Sequence, residues 1–165
     1  MILSFTLATA ADALEIARLR TATARHLADQ HGQRSFKGAV SEAGALAGMR
    51  TARVLLAHCE GKLVAMLNLA RKRPWAIDPT HFTKVARPLY LTNLSVAPEF
   101  QGRGVGRRIL DAARVVARKW PGDAIRLDAQ DDATGAGGFY EKCGYREVGR
   151  VTYRRTALIY YEVVL

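Results

Sequence analysis

The sequence has 165 residues, 49% of them hydrophobic and 24% charged, with 25 Lys+Arg against 15 Asp+Glu for a formal net charge of +10. That length suits one domain, 1–165, with a real core, and the composition excludes a wholly disordered chain. No apolar run approaches the ~18–20 residues needed to cross a bilayer, and the start MILSFTLATAADALEIARLR lacks the basic n-region of a signal peptide. The basic clusters Arg71-Lys72-Arg73, Arg107-Arg108 and Arg154-Arg155 are short and not interleaved with aromatics, so they read as solvated surface. Neither a nucleic-acid partner nor a membrane partner is expected. Cys59 and Cys143 form no metal-ligand spacing; with no metal expected, both read as reduced, buried thiols of a cytoplasmic protein.

In chain order, Ile2 to Ala8 alternates enough for a first strand, and Thr9 is a plausible N-cap for a helix through about Ala28. Gly32 and the polar stretch Gln33 to Gly38 break that helix, and Ser41 opens a shorter one through about Met49. Arg53 to Cys59 and Lys62 to Ala70 are β-rich runs joined by Glu60-Gly61, a hairpin signal. The proline-bearing segment from Arg71 to Pro88 reads as a long, partly ordered loop, of the kind that shapes sites. Leu89 to Val96 follows as a strand of the sheet's middle. Then come a helix from Gly104 to about Trp120, a strand at Ala124 to Ala129 and a helix around Gly137 to Cys143. Val148 to Tyr153 and Ala157 to Val164 close the chain as a strand pair. The fold class is α+β.

The informative segment is LTNLSVAPEFQGRGVGRRILDAARVVARKW. Gln101-Gly102-Arg103-Gly104-Val105-Gly106 forms a tight loop between strand and helix. Val105, Ile109, Ala112, Val116 and Trp120 fall on one face of that helix, with Arg107, Arg108, Asp111, Arg114 and Arg118 largely on the other. Alternate glycines let the backbone turn sharply and present successive N–H groups to an anion. The helix start adds unpaired donors and partial positive charge, which matches a diphosphate. Arg103 and Arg107 could add charge-assisted bonds from the rim. No Lys-Ser/Thr follows, so this is not a P-loop. A dinucleotide fingerprint fails too: Asp128 lies at a suitable distance, but the third glycine comes one residue early and too little chain follows for a doubly wound sheet.

These residues resemble the GCN5-related N-acetyltransferase (GNAT) superfamily. Its acetyl-CoA motif, Gln/Arg-x-x-Gly-x-Gly/Ala, is matched by Gln101-Gly102-Arg103-Gly104-Val105-Gly106. Leu94-Ser95-Val96-Ala97-Pro98 is similar to the strand that splays from its neighbour and pairs with the pantetheine arm. Gly138-Phe139-Tyr140-Glu141-Lys142-Cys143-Gly144-Tyr145 is similar to the family's Leu-Tyr-Glu-Lys-x-Gly-Phe box. The resemblance implies a mixed sheet with a splayed middle pair and about four helices. It implies acetyl transfer from acetyl-CoA to an amine by direct attack in a ternary complex. Leu94, Ser95, Val96, Gln101, Gly102, Arg103, Gly104, Val105, Gly106 and Arg107 would hold the cofactor. Tyr140 would protonate the departing thiolate, as a phenol with pKa near 10 can, and backbone N–H groups near Leu94 to Val96 would polarise the thioester carbonyl. A homodimer is left open, dimers being frequent among relatives.

Two departures matter. Many relatives carry an asparagine where this chain has Ala133, in the small, glycine-rich stretch Ala133 to Gly138 that would meet CoA through its backbone instead. Some place a glutamate base where Tyr90 stands, and no carboxylate occurs between Asp78 and Glu99. His26, His31, His81, Asp78 and Glu42 are the remaining bases, each with a structural reading beside it. Trp75, Phe82 and Tyr90 would either wall an acceptor pocket or simply pack. The positive charge favours a neutral or acidic small-molecule amine. A protein or peptide acceptor, and a non-catalytic acyl-CoA-binding module, are the alternatives.

Overall fold

The structure is a computed structural model and describes residues 1–32, 39–132 and 136–165. Seven strands form one mixed sheet in the order β1-β2-β3-β4-β5-β7-β6. The strands are β1 Ser4–Leu7, β2 Arg53–Cys59, β3 Lys62–Ala70, β4 Pro88–Val96, β5 Ala124–Gln130, β6 Arg146–Tyr153 and β7 Thr156–Val164. The helices are α1 Ala13–His31, α2 Glu42–Met49, α3 Val105–Lys119 and α4 Gly137–Lys142. The α+β class expected from the sequence is therefore the observed one. The chain divides into two compact units, Met1–Leu69 with Thr92–Ala113, and Ala70–Leu91 with Arg114–Leu165.

In the first unit, capping chemistry sets both leading helices. Thr9 is the N-cap of a short 3-10 turn, its N–H donating to Asp12 Oδ2 at 2.7 Å, and α1 continues from that turn. Ser41 Oγ accepts from Gly44 N–H at 3.0 Å and starts α2. Glu60 and Gly61, with φ of 50° and 78°, make the two-residue turn that joins β2 to β3 in antiparallel register from Cys59↔Lys62. Ala13, Ile16, Ala17 and Leu19 of α1 pack with Ala45 of α2 onto Val54, Leu56, Leu63 and Met66. Val54 and Leu56 alternate along β2, while Leu63 and Met66, three residues apart, join the same cluster across the register shift opposite Ala57 and His58.

In the second unit β4 pairs parallel with β5 over Pro88↔Ala124, Leu89↔Ile125 and Tyr90↔Arg126, and β5 pairs antiparallel with β7 from Ala124↔Val164 to Gln130↔Leu158. The β6–β7 turn carries Arg154 and Arg155 at φ of 46° and 67°, a conformation that favours Asn-Gly over arginine. The sequence holds no turn signal there. The segment from Arg71 to Arg87 is more ordered than expected. It contains a 3-10 turn, Pro79–His81, capped by Asp78. Tyr160 Oη accepts from Asp78 N–H at 3.0 Å and donates to Ala76 O. Glu162, 1% exposed, accepts from Thr83 N–H at 3.2 Å, from Thr83 Oγ1 and from Arg146 at 2.9 Å. Arg126 donates to Thr83 O at 2.7 Å and lies over the Phe82 ring. A buried charge needs such partners, and here they fasten the segment.

The apolar face of α3 differs from the one read from sequence. Val105, Ile109, Leu110, Ala113 and Ala117 are buried, whereas Ala112, Val116 and Trp120 are only partly so. Steps of four from Val105 reach Ala113 and Ala117, whose small side chains permit close approach.

Candidate functional site

The glycine loop lies in the first unit. β4 ends at Val96, a 3-10 turn spans Pro98–Phe100, and Gln101 Nε2 donates to Val96 O at 3.0 Å, tying the loop to the strand it leaves. Gly102 and Gly104 have φ of 71° and 78°. A Cβ at either would meet nothing within 4 Å, so glycine is required there by backbone conformation and not by crowding. Gln101 N–H donates to Pro98 O and Arg108 N–H to Gly104 O. Among the described residues, the consecutive backbone N–H groups from Gly102 to Arg107 find no acceptor. Those amides sit at the start of a 15-residue helix, where the dipole adds positive potential. Arg103 stacks 5.7 Å from the Phe100 ring centroid, and Lys62 pairs with Glu99 at 2.5 Å beside the loop. The residues present fit a diphosphate: open space, free donors and flanking arginines.

One turn back along β4, Asn93 has φ of 56°, left-handed backbone in the middle of a strand, immediately before Leu94. Its Oδ1 accepts from Arg20 Nη2 on α1 at 3.3 Å. Sequence reading passed over this pair. The available signal was an arginine on the stripe of α1 that otherwise carries Ala13, Ile16 and Ala17.

Tyr140 lies in the second unit, on α4, and is 7% exposed. Its ring packs edge-on against Phe139 and Tyr145, with centroids 5.4 and 5.9 Å away, and tilted against Tyr161 at 5.7 Å. Burial first, then Tyr145, Asp128 and Cys143, pushes the phenol well above its ordinary 10.0. The hydroxyl therefore keeps its proton across the neutral range and is a donor. Ala133, with the rest of 133–135, lies outside the described residues.

The base candidates separate on geometry. Tyr90 is 4% exposed and packs with Ile77, Phe82 and Tyr160, its hydroxyl accepting from Arg126 at 3.3 Å. Phe82 is likewise core, while Trp75 is 84% exposed. Asp78 caps its 3-10 turn, and the Thr80 amide and hydroxyl hold its carboxyl below the usual range. His81 is wedged edge-on against Tyr160, its Nε2 4.0 Å from Asp78 Oδ2; its Nδ1 comes within 2.3 Å of where a Cβ on Gly149 would stand. His26 and Glu42 line a surface groove of about 500 Å³ along α1, and His31 is exposed at the helix end. Among the described residues no group of three His, Cys, Asp or Glu could hold a metal, and no helix is long and apolar enough to cross a membrane.

Comparison with known proteins gives the family and the fold. The family model described as an acetyltransferase (GNAT) domain matches residues 50–147. No curated protein matches the sequence. Among solved structures, the chain is similar to a ribosomal-protein-alanine N-acetyltransferase from Brucella melitensis at 17% identity and a TM-score of 0.74, covering 98% of this chain and 99% of that one. It is similar to the ribosomal-protein-S18-alanine N-acetyltransferase of Escherichia coli at 15% identity and 0.71, covering 99% and 94%. A paia N-acetyltransferase from Thermoplasma acidophilum, solved in complex with coenzyme A, gives 14% identity and 0.72, covering 99% and 100%. At such identities the likeness is one of fold.

Proposed function

The chain belongs to the GNAT acetyltransferase family, and we propose that it moves an acetyl group from acetyl-CoA to the primary amine of a small molecule by direct attack in a ternary complex. The observation that carries the reading is the run of acceptor-less amides from Gly102 to Arg107 at the start of α3. Acetyl-CoA would supply an acyl group already activated as a thioester. The loop from Gln101 to Gly106 would hold its diphosphate, with Arg103 and Arg107 at the rim. Leu94, Ser95 and Val96 would hold the pantetheine arm by their backbone and polarise the reacting carbonyl. Tyr140 carries a proton at Oη through the neutral range and would deliver it to the leaving sulfur. The whole chain, 1–165, acts as one such domain in this reading, and Cys59 and Cys143, neither of them in a disulfide, suit a reducing cytoplasm.

The test is thiol release from acetyl-CoA against a panel of small amines. Turnover with at least one amine is expected, and Tyr140→Phe should lose ~10²-fold or more in kcat while retaining CoA binding. Undiminished kcat would remove Tyr140 from the acid role. A second reading, acetylation of a protein or peptide N-terminus, is favoured by the names of the Brucella and Escherichia neighbours. Release only with peptides would select it, and CoA binding with no release from any acceptor would leave a binding module.

A further inference from the structure

We propose that Arg20 selects the acceptor by pairing with a carboxylate that the acceptor amine carries. The inference rests on the acetyltransferase reading and names the substrate class of that site.

Arg20 breaks the pattern of its own helix. Ala13, Ile16 and Ala17 are 0%, 2% and 4% exposed and form the stripe of α1 that packs into the first unit's core. Arg20 is four residues beyond Ile16 and continues that stripe, and it is half-buried. A helix that needed only to pack would carry an apolar side chain there, and such local violations concentrate at functional sites. A half-buried guanidinium ordinarily finds a carboxylate. Among the described residues none pairs with Arg20: its contact is the single 3.3 Å bond to the neutral amide oxygen of Asn93. Burial lowers its pKa with no acidic neighbour opposing the effect. A guanidinium has five donors in a rigid fork, so most of them are left for a ligand.

The location gives that ligand its identity. Asn93 precedes Leu94 to Val96, the backbone proposed to hold the pantetheine arm, and its φ of 56° is strained for any residue but glycine, with asparagine among the least penalised. The bond from Arg20 therefore anchors the guanidinium beside the turn in β4 where the acyl donor would lie. A carboxylate matches the fork in two parallel bonds, as a carboxamide does not. The class that results is an amine bearing a carboxylate a few bonds from the nitrogen, such as an amino acid.

The experiment compares amino acids with their carboxamides as acceptors for the full-length wild type, Arg20→Gln and Arg20→Lys. Thiol release is followed, and binding of each acceptor to the CoA-loaded protein is measured by calorimetry. Wild type should prefer carboxylates by about tenfold or more in kcat/KM, through KM, as charge-assisted bonds require. Arg20→Gln should bring the ratio to about one, leaving the carboxamides and the KM for acetyl-CoA unchanged, and Arg20→Lys should keep part of the preference. Equal losses for both acceptor classes, a raised KM for acetyl-CoA (Arg20 then serving the donor's phosphates), or an unchanged ratio would each overturn the assignment. Should wild type acetylate no amine, the acetyltransferase reading falls by itself; calorimetry still decides Arg20, and failure of carboxylates to outbind carboxamides overturns it.

Discussion

Burial of Tyr140 among Phe139, Tyr145 and Tyr161 makes one side chain a structural tyrosine and, in the proposed reaction, the proton donor. In the unfolded chain a tyrosine ionises near 10.0, whereas folded Tyr140 holds its proton above that value. Stability from this group is thus fully present below about pH 10 and is lost as pH rises toward the folded pKa. Tyr160 and Tyr161 are shifted the same way by burial. Absorbance titration of phenolates should therefore show a late-ionising set that coincides with alkaline unfolding. Tyr140→Phe should make the fall of stability above about pH 10 shallower by up to ~1.4 kcal/mol per pH unit. An equal slope in the variant would show that Tyr140 is solvated. The same buried proton predicts no descending limb in kcat below about pH 10 from this residue.

At the scale of elements, the strand–loop–helix unit from β4 to α3 depends on backbone conformations more than on side chains. Gly104 has φ of 78° in otherwise open space. Gly104→Ala meets no steric obstacle but forces an L-residue into left-handed backbone, at about 1–2 kcal/mol. The loop should relax from its anion-binding form and weaken acetyl-CoA binding about tenfold, with little change in melting temperature of the unliganded protein. Calorimetric titration with CoA checks this, and unaltered affinity would mean that the loop tolerates either conformation. The β6–β7 turn makes the complementary point: Arg154 and Arg155 adopt positive φ without any glycine, so strand pairing from Tyr153↔Thr156 onward imposes the turn.

For the whole molecule, a net charge of +10 bears on a polyanionic donor. Acetyl-CoA association should be steered by that field and screened by salt. Raising ionic strength from about 0.05 to 0.5 M should increase the KM for acetyl-CoA several-fold while leaving kcat nearly unchanged. A flat KM would assign the charge to surface solvation alone. Saturating acetyl-CoA should also stabilise the fold by about 2.7 kcal/mol at a hundredfold excess over Kd, read as a shift in melting temperature.

Local rules carry most of what is legible in the chain. Ser41 and Thr9 mark helix starts because capping is a matter of a few adjacent atoms, and Glu60-Gly61 marks a hairpin because two positive φ values need such residues. The glycine loop is legible for the same reason: Gly102 and Gly104 are required by their own backbone angles. Long-range packing decides the rest. On α3 burial falls on Leu110, Ala113 and Ala117 and only partly on Ala112, Val116 and Trp120, a choice among apolar positions that helical spacing alone leaves open. Tyr90, where some relatives carry a glutamate base and which the sequence left as pocket wall or core, becomes core because Phe82 and the sequence-distant Tyr160 pack with it. Arg20 and Asn93 are 73 residues apart and meet only in the folded chain. By itself the sequence determined the conformation of the glycine loop, whose requirements are local; tertiary structure decided which groups the charged side chains meet, as Arg20 meets Asn93, because pairing depends on what folding brings near.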